Sequence, residues 1–151
     1  MTEEQVKAYH AKVADNIRQQ GFHVTYVAAD KEPSFCYSTG IYQSFGIPEI
    51  FISSLPPNLS GELVEKYVHK FSKVAAIPVD QKIDDLTDRF PVYLIDVPVE
   101  KLKEHVLSSV RLYGKTDYNY VQLIYPDTDG NFPNDAGYDY DQIIFGEFRD
   151  E

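Results

Sequence analysis

The chain has 151 residues, of which 43% are hydrophobic and 25% are charged, and its formal net charge is −10 at pH 7. This length predicts one domain with a single core, and the composition excludes an intrinsically disordered chain. The single cysteine, Cys36, excludes an internal disulfide framework and a multi-cysteine zinc site. No apolar run approaches the roughly 20 residues of a membrane helix, and the polar, acidic N-terminus predicts no signal peptide. We therefore expect a cytoplasmic protein that does not enter a membrane.

Hydrophobic periodicity predicts three helices, at residues 2–20, 59–73 and 98–113. Strands are predicted at residues 22–28, 34–39, 50–52, 90–97 and 120–125. The second and third strands are close in sequence, which favours antiparallel pairing because parallel neighbours need long crossovers. The expected fold class is therefore α+β, with one domain over residues 1–151, a mainly antiparallel sheet and about three helices. The apolar residues 143–145 should be anchored to the core.

Residues 33–56, PSFCYSTGIYQSFGIPEIFISSLP, predict a strand, a glycine turn, a proline turn and a short apolar strand. This stretch resembles the first signature of a bacterial domain-of-unknown-function family, numbered 4262. Residues 122–133 are similar to a second signature of the same family. The resemblance implies a fold and not a function, because no activity is securely assigned to the family. The matching positions are Tyr37, Gly40, Gly46, Pro48, Glu49, Leu55 and Pro56 in the first signature, and Gln122, Leu123, Pro126, Asp127, Gly130, Phe132 and Pro133 in the second.

The chain departs from the family pattern at two chemically important positions. Ile47 stands where the family has the histidine of Gly-His-Pro-Glu, and Asn134 stands where it has tryptophan after Phe-Pro. Histidine is the one member of that signature that could act as acid, base or ligand near neutral pH. An enzymatic role that depended on this histidine would therefore be lost here.

Glu49 is the best single candidate for acid–base chemistry, because it precedes an apolar strand where desolvation would perturb its pKa. The alternative, which we favour, is that its carboxylate accepts hydrogen bonds from turn amides and fixes the loop. Cys36 should be buried and inert, since it alternates with aromatic residues in a strand. The four histidines, His10, His23, His69 and His105, show no metal-ligand spacing. The Asp-rich turn at 127–131 lacks the EF-hand spacing, so we predict no metal and no cofactor.

Acidic residues are concentrated near the C-terminus. Residues 127–151 contain eight Asp and Glu against one Arg, a net charge of −7, whereas the first 126 residues carry −3. Such a segment repels nucleic acid and attracts basic partners, although it could also serve only as a solvated loop. Tyrosine is favoured at interfaces, and here it alternates with aspartate. The candidate partner-binding residues are Asp127, Asp129, Asp135, Tyr138, Asp139, Tyr140 and Asp141.

Two functions compete on this sequence. The first is a non-enzymatic acidic binding protein, most concretely an immunity protein that neutralises a basic toxin such as a nuclease. The second is a small enzyme or ligand-binding domain in which the two signatures meet. In that case Tyr37 and Glu49 should lie within reach of the loop 126–133. The pocket residues of this alternative are Tyr37, Gly40, Gly46, Glu49 and Phe132. The absence of a complete catalytic set favours the first function. The sequence does not indicate an oligomeric state.

Overall fold

Four helices and six strands occur within residues 2–148, the part of the chain that the computed structural model describes. A short 3-10 helix, Val99–Lys101, lies between the fifth strand and the fourth helix. The α+β class expected from the sequence is confirmed. The helices are α1 (Glu3–Gln20), α2 (Ile41–Phe45), α3 (Pro57–Phe71) and α4 (Leu107–Tyr113). The strands are β1 (His23–Val27), β2 (Phe35–Thr39), β3 (Glu49–Ser53), β4 (Lys82–Ile83), β5 (Val92–Val97) and β6 (Tyr120–Ile124).

The strands form one sheet in the order β1-β2-β3-β6-β5-β4. All neighbours are antiparallel except β3 and β6, which run parallel with Glu49 opposite Tyr120 and Phe51 opposite Gln122. The mainly antiparallel sheet is therefore confirmed, including the antiparallel pairing of β2 with β3. The parallel pair joins two antiparallel halves of the sheet, β1 to β3 and β4 to β6.

Both faces of the sheet carry a core, because successive residues of a strand point to opposite sides. On one face, Ile50 and Ile52 of β3 pack in the cluster that contains Tyr67 of α3. On the other face, Phe51 lies in a second cluster, against which Phe145 near the C-terminus packs. All five residues of β3 are buried, so this strand lies at the centre of the domain.

Helix α1 begins and ends where its capping residues predict. Thr2 Oγ1 accepts the N–H of Gln5 at 3.1 Å, and the Gln5 side chain accepts the N–H of Thr2 at 2.9 Å. This reciprocal capping box satisfies two of the N–H groups that have no partner within the helix. Gly21 ends the helix in the left-handed conformation, with a φ of 95°. A Cβ at Gly21 would lie 2.7 Å from the ring of Phe45, so a larger residue here would displace that ring.

The segment after β2 differs from its prediction. Residues 41–45 form the short helix α2 where the sequence predicted only an approach to a turn. Gly40, with a φ of 104°, makes this possible by reversing the backbone directly after β2. The predicted turn at residues 46–49 ends earlier, because Glu49 is already the first residue of β3.

The helix predicted at residues 98–113 is two separate helical segments. Pro98 precedes a helical segment, as predicted, but that segment is a 3-10 helix that ends at Lys101. The chain becomes helical again only at Leu107. Leu102 and Val106 are both fully buried, so a continuous helix and the observed break place the same residues against the sheet. Hydrophobic periodicity does not separate these two arrangements.

The polar connection predicted at residues 80–89 contains the two-residue strand β4, which pairs with β5 at the edge of the sheet. No helix among residues 2–148 combines the length and apolarity needed to cross a membrane.

Candidate functional site

Glu49 lies at the start of β3 and is fully buried. Its carboxylate accepts hydrogen bonds from the three consecutive backbone N–H groups of residues 40–42 at 3.0–3.2 Å. Ser38 Oγ donates to it at 2.7 Å, and the hydroxyl of Tyr113 donates to its second oxygen. Five donors therefore meet one carboxylate, which fills its capacity as an acceptor.

The donors around Glu49 are themselves held in place. Ser38 Oγ accepts the N–H of Ile50 at 2.9 Å, and the Tyr113 hydroxyl oxygen accepts the N–H of Gln43 at 3.1 Å. Burial, and after it the negative charge of Glu49, raises the pKa of Tyr113 well above its ordinary value. Tyr113 therefore remains a neutral phenol that donates to the carboxylate. The cluster joins β2, α2, β3 and α4 at one point.

This geometry matches the structural alternative for Glu49. The residue has no exposed surface, and each of its oxygens is occupied by protein donors. A general acid or base must reach a substrate proton directly or through one water. Acid–base chemistry at Glu49 would first require the cluster to open.

A second hydroxyl network lies beside the first and joins α4 to β2 and β6. Ser109 Oγ donates to the carbonyl oxygen of Ser38 at 3.0 Å, and the Tyr120 hydroxyl donates to the same oxygen at 2.8 Å. Thr39 Oγ1 lies 2.9 Å from Ser109 Oγ. The sequence analysis missed this network and the role of Tyr113, because each bond joins residues that are distant in sequence. The local signal that could have pointed to it is the serine at position 109, three residues after the buried Val106 and on the same side of the helix.

Cys36 and the histidines form no reactive set. Cys36 is 1% exposed, and burial raises the pKa of its thiol to about 12, which leaves it un-ionised and a weak nucleophile. His23 bonds to Asn16 at 2.9 Å, and burial followed by the charge of Lys12 lowers its pKa. Within residues 2–148, no three His, Cys, Asp or Glu side chains are grouped so that they could hold a metal ion.

Glu49 of the first signature and the loop 126–133 of the second lie at opposite ends of the parallel pair β3–β6. Because β3 and β6 are parallel with Glu49 opposite Tyr120, Pro126 follows the far end of β6. A strand rises roughly 3.3 Å per residue, so about 20 Å of backbone separates Pro126 from the level of Glu49. Phe132 lies 5.0 Å, between ring centroids, from Tyr93, which pairs with the last residue of β6. The expected contact between Glu49 and the loop 126–133 is therefore not formed, whereas Tyr37 and Phe132 belong to the same core cluster.

The residues of that expected pocket occupy separate places. Gly40 and Glu49 belong to the buried carboxylate cluster, whereas Gly46 is exposed after α2. Tyr37 and Phe132 are both buried in the second core. The Tyr37 hydroxyl oxygen accepts the backbone N–H of residue 108 at 3.2 Å. Their roles are in packing and in hydrogen bonding of the backbone.

Asp127, predicted to contact a partner, is buried and instead orders the loop in which it lies. Its Oδ1 accepts the N–H groups of Asp129 and Asn131 at 3.0 and 2.9 Å, and its Oδ2 accepts the N–H of Asp139 at 3.1 Å. Desolvation raises the pKa of Asp127, but the backbone N–H groups of Asn131, Asp139 and Asp129 outweigh it and hold this pKa below its ordinary value. A buried carboxylate of this kind orders a loop and is inaccessible to a partner.

The other acidic residues of the segment are exposed. Asp135 lies on the surface, and its Oδ2 accepts the N–H of Phe132 at 2.8 Å. The side chains of Asp129, Asp139 and Asp141 are exposed and form no hydrogen bond or ion pair with the described residues. These three carboxylates are therefore the free charges of the loop.

Two tyrosines lie among these carboxylates. The ring centroid of Tyr140 is 6.2 Å from those of Tyr138 and Tyr125. Gln142 Nε2 donates to the Tyr138 hydroxyl at 2.6 Å and to the carbonyl oxygen of Tyr125 at 3.0 Å. Tyr140 is 40% exposed and Tyr138 is half-buried. The aromatic side chains are thus fixed in position while one of them faces solvent.

The chain then returns across the sheet and is anchored there. Gln122 of β6 donates from Nε2 to the carbonyl oxygen of Ile143 at 2.6 Å and accepts the N–H of Phe145 at Oε1 at 2.9 Å. At Gly146 an added Cβ would lie 2.6 Å from the carbonyl oxygen of Asp96, so only glycine fits this approach. The predicted anchoring of this apolar group is confirmed, although the group forms neither a strand nor a helix.

Comparison with family models gives one decisive match. The model described as Domain of unknown function (DUF4262) matches residues 16–139, which is most of the chain. The chain belongs to this family. Both signatures lie inside the matched region, whereas most of α1 and the tail from residue 140 lie outside it. Comparison with curated proteins gave no match, and comparison with solved structures gave none either.

Proposed function

We propose that this protein is a non-enzymatic binding protein whose acidic segment, residues 127–151, docks onto a basic protein. Its most concrete form is an immunity protein that neutralises a basic toxin, such as a nuclease, by direct binding. The observation that carries this proposal is the set of three free, exposed carboxylates, Asp129, Asp139 and Asp141, on an ordered loop beside exposed tyrosine.

Charge distribution supports a basic partner. Residues 127–151 hold −7 of the total net charge of −10. Carboxylates of one sign on one segment create a local negative potential, which steers a basic partner toward this face and repels nucleic acid.

The order of the segment supports binding with a small entropic cost. Asp127 fixes the loop from within, and Gln142 and Gln122 fix the residues that follow. A surface that is already ordered loses less conformational freedom when a partner docks. Tyr140 adds an exposed aromatic side chain, the type that most often dominates the binding energy of an interface.

The catalytic candidates favour this proposal over the enzyme alternative. Glu49 is saturated with donors, and the thiol of Cys36 has a pKa of about 12. Glu49 and the loop 126–133, which the alternative requires to meet, lie at opposite ends of the parallel pair β3–β6.

The proposal is tested by binding kinetics with the protein that co-purifies from the native host. The variant D129N/D139N/D141N should slow association about tenfold at low salt and flatten its salt dependence, because charge acts mainly on the association rate. Tyr140→Ala should instead speed dissociation by roughly 30-fold, as expected for an aromatic anchor worth about 2 kcal/mol.

The matched control is E65Q/D84N/D88N, which neutralises three exposed acidic residues outside the segment. It gives the same net charge as the first variant and should leave the association rate near that of the wild type. A partner with a neutral or acidic surface, or an equal effect of both triple variants, would remove the basis of the proposal.

A further inference from the structure

A groove of about 530 Å³ separates α1 from α4 above the sheet. Val6 of α1 and Leu107 of α4 line it from two sides, and Val27 and Phe35 of the sheet also line it. A second cavity of about 280 Å³ continues between the same two helices and shares His10, Ser108 and Arg111 with the first. The two cavities therefore form one continuous groove, which we call the α1–α4 groove.

This groove leaves apolar side chains uncovered. Only Val13 is buried in the 18 residues of α1, although the helix carries an apolar stripe. Val6 is 37% exposed, Val27 36% and Leu107 64%, and all three line the larger cavity. Exposed apolar groups that converge on one concave surface are typical of a binding site, and small-ligand sites range over roughly 300–1,000 Å³.

The polar groups of the groove differ in whether they have partners. The hydroxyls of Tyr9 and Tyr37 are already used, by Thr25 at 2.8 Å and by the N–H of Ser108 at 3.2 Å. The guanidinium of Arg111 forms no hydrogen bond or ion pair with any residue of 2–148.

His10 lines both cavities beside Arg111, and its ring likewise has no hydrogen bond within the described part of the chain. His105 also lines the larger cavity; its Nε2 lies 2.9 Å from Glu32 Oε2, whereas its Nδ1 is buried without a partner among residues 2–148.

We propose that the α1–α4 groove binds a small amphipathic carboxylate. The apolar body of the ligand lies against Val6, Val27, Phe35 and Leu107, and its carboxylate pairs with Arg111 beside His10. The exposed guanidinium of Arg111 has no partner among residues 2–148, and its planar fork matches a carboxylate. Glu104, whose negative charge would repel an anion, lines only the larger cavity. The carboxylate of the ligand is therefore placed where the two cavities meet, at Arg111.

A small ligand fits this groove better than a second copy of the chain. The strong net negative charge opposes self-association. The groove is bounded by two helices and the sheet, which favours a compact ligand over a flat protein surface.

The test is titration of the full chain with octanoate, followed by backbone amide NMR and calorimetry. We expect saturable shifts confined to α1, β1, β2 and the residues from Glu104 to Arg111. Arg111→Gln should weaken octanoate binding about tenfold, since a hydrogen bond to a charged group is lost. Lys115→Gln removes an equal charge from an exposed residue outside the groove and should leave the affinity unchanged.

A second pair of variants tests the apolar part of the groove. Leu107→Ser should weaken octanoate binding, whereas Val74→Ser, at an exposed valine elsewhere, should not. Both sites are exposed, so loss of folding does not obscure the result. Octanol binding as tightly as octanoate, no saturable shift, or concentration-dependent dimerisation through this face would each overturn the proposal.

Discussion

Two buried carboxylates, Glu49 and Asp127, perform the same physical task at the two signatures. Each accepts hydrogen bonds from several backbone N–H groups in a segment without regular strand pairing. A backbone that leaves a sheet or helix loses its usual partners, and a buried N–H without an acceptor costs free energy. A single aspartate or glutamate at the right place supplies the missing acceptors.

Replacing Glu49 by alanine should lower the free energy of unfolding by about 3–5 kcal/mol. The change leaves three backbone N–H groups and two hydroxyls without an acceptor inside a buried cluster. Urea denaturation at neutral pH measures the loss. Tyr113→Phe serves as the milder comparison, because it removes one donor to the carboxylate and the acceptor of the Gln43 N–H, and it should cost about 1–3 kcal/mol. Equal stability of Glu49→Ala and wild type would show that the loop does not depend on this carboxylate.

Asp127 should stabilise the fold at neutral pH and lose that effect in acid. Although desolvation acts in the opposite direction, backbone N–H groups lower its folded pKa below the ordinary value of 3.8. Its stabilising contribution is therefore complete above about pH 3.8 and is lost as the pH falls through the lower, folded pKa. The difference in unfolding free energy between wild type and Asp127→Asn should narrow over that range.

Asp129→Asn is the control for Asp127→Asn, because the Asp129 side chain is exposed and forms no hydrogen bond or ion pair with the described residues. Chemical denaturation over a pH series would separate the two variants. A difference for Asp127→Asn that stays constant down to about pH 3 would contradict the assignment.

At the scale of elements, the tail after Tyr140 behaves as part of the core without regular secondary structure. Its backbone is bonded to the side chain of Gln122, and Phe145 packs edge-on against Phe51 at 5.4 Å between ring centroids. The tail covers one face of the sheet next to the parallel pair. Side-chain amides here replace the ladder bonds that a strand would make.

Gly146→Ala should detach this tail while leaving the sheet intact. The new Cβ would lie 2.6 Å from the carbonyl oxygen of Asp96, too close for the backbone to remain in place. Overpacking of this kind costs about 1–3 kcal/mol. Hydrogen exchange at the N–H of Phe145 should therefore become faster, and exchange within β6 should not. Gly61→Ala, at a helical position with no atom within 4 Å, should change neither.

The strands were predictable because their signals are local. Alternation of side chains and the flanking glycines and prolines placed β1, β2, β3, β5 and β6 within two residues of their observed bounds. The break between the 3-10 helix and α4 was not predictable, since Leu102 and Val106 are buried in either arrangement.

The site was less predictable than the fold. The sequence suggested that Glu49 fixes a loop, but its donor Tyr113 lies 64 residues away. The α1–α4 groove depends on how two distant helices sit on the sheet, which no local pattern encodes.

For the molecule as a whole, the unequal distribution of charge is the dominant electrostatic feature. Exposed carboxylates concentrated in one segment repel one another in the folded state, and salt screens that repulsion. This concentration of carboxylates therefore lowers the free energy of unfolding, and the loss is smaller at higher ionic strength.

Raising the salt concentration from low values should increase the Tm of the wild type by about 2–4 °C, equivalent to about 1 kcal/mol. The variant D129N/D139N/D141N should start from a higher Tm at low salt and respond less. Differential scanning calorimetry at several salt concentrations measures this. The outcome that contradicts it is a salt response in E65Q/D84N/D88N that is reduced as much as in the segment variant.

The parallel pair of β3 and β6 has a consequence for the order of folding. Hairpin-like neighbours such as β1 and β2 can pair after closing a short loop, whereas Glu49 can meet Tyr120 only after a long one. We expect the two antiparallel halves to form first and to join in the slowest refolding step. In pulse-labelled hydrogen exchange, the β1–β2 amides should become protected before the β3–β6 amides.

A chain cut within the exposed residues 73–76 should reassemble from its two fragments. Among the described residues, β3 and β6 form the only strand pair that links these fragments.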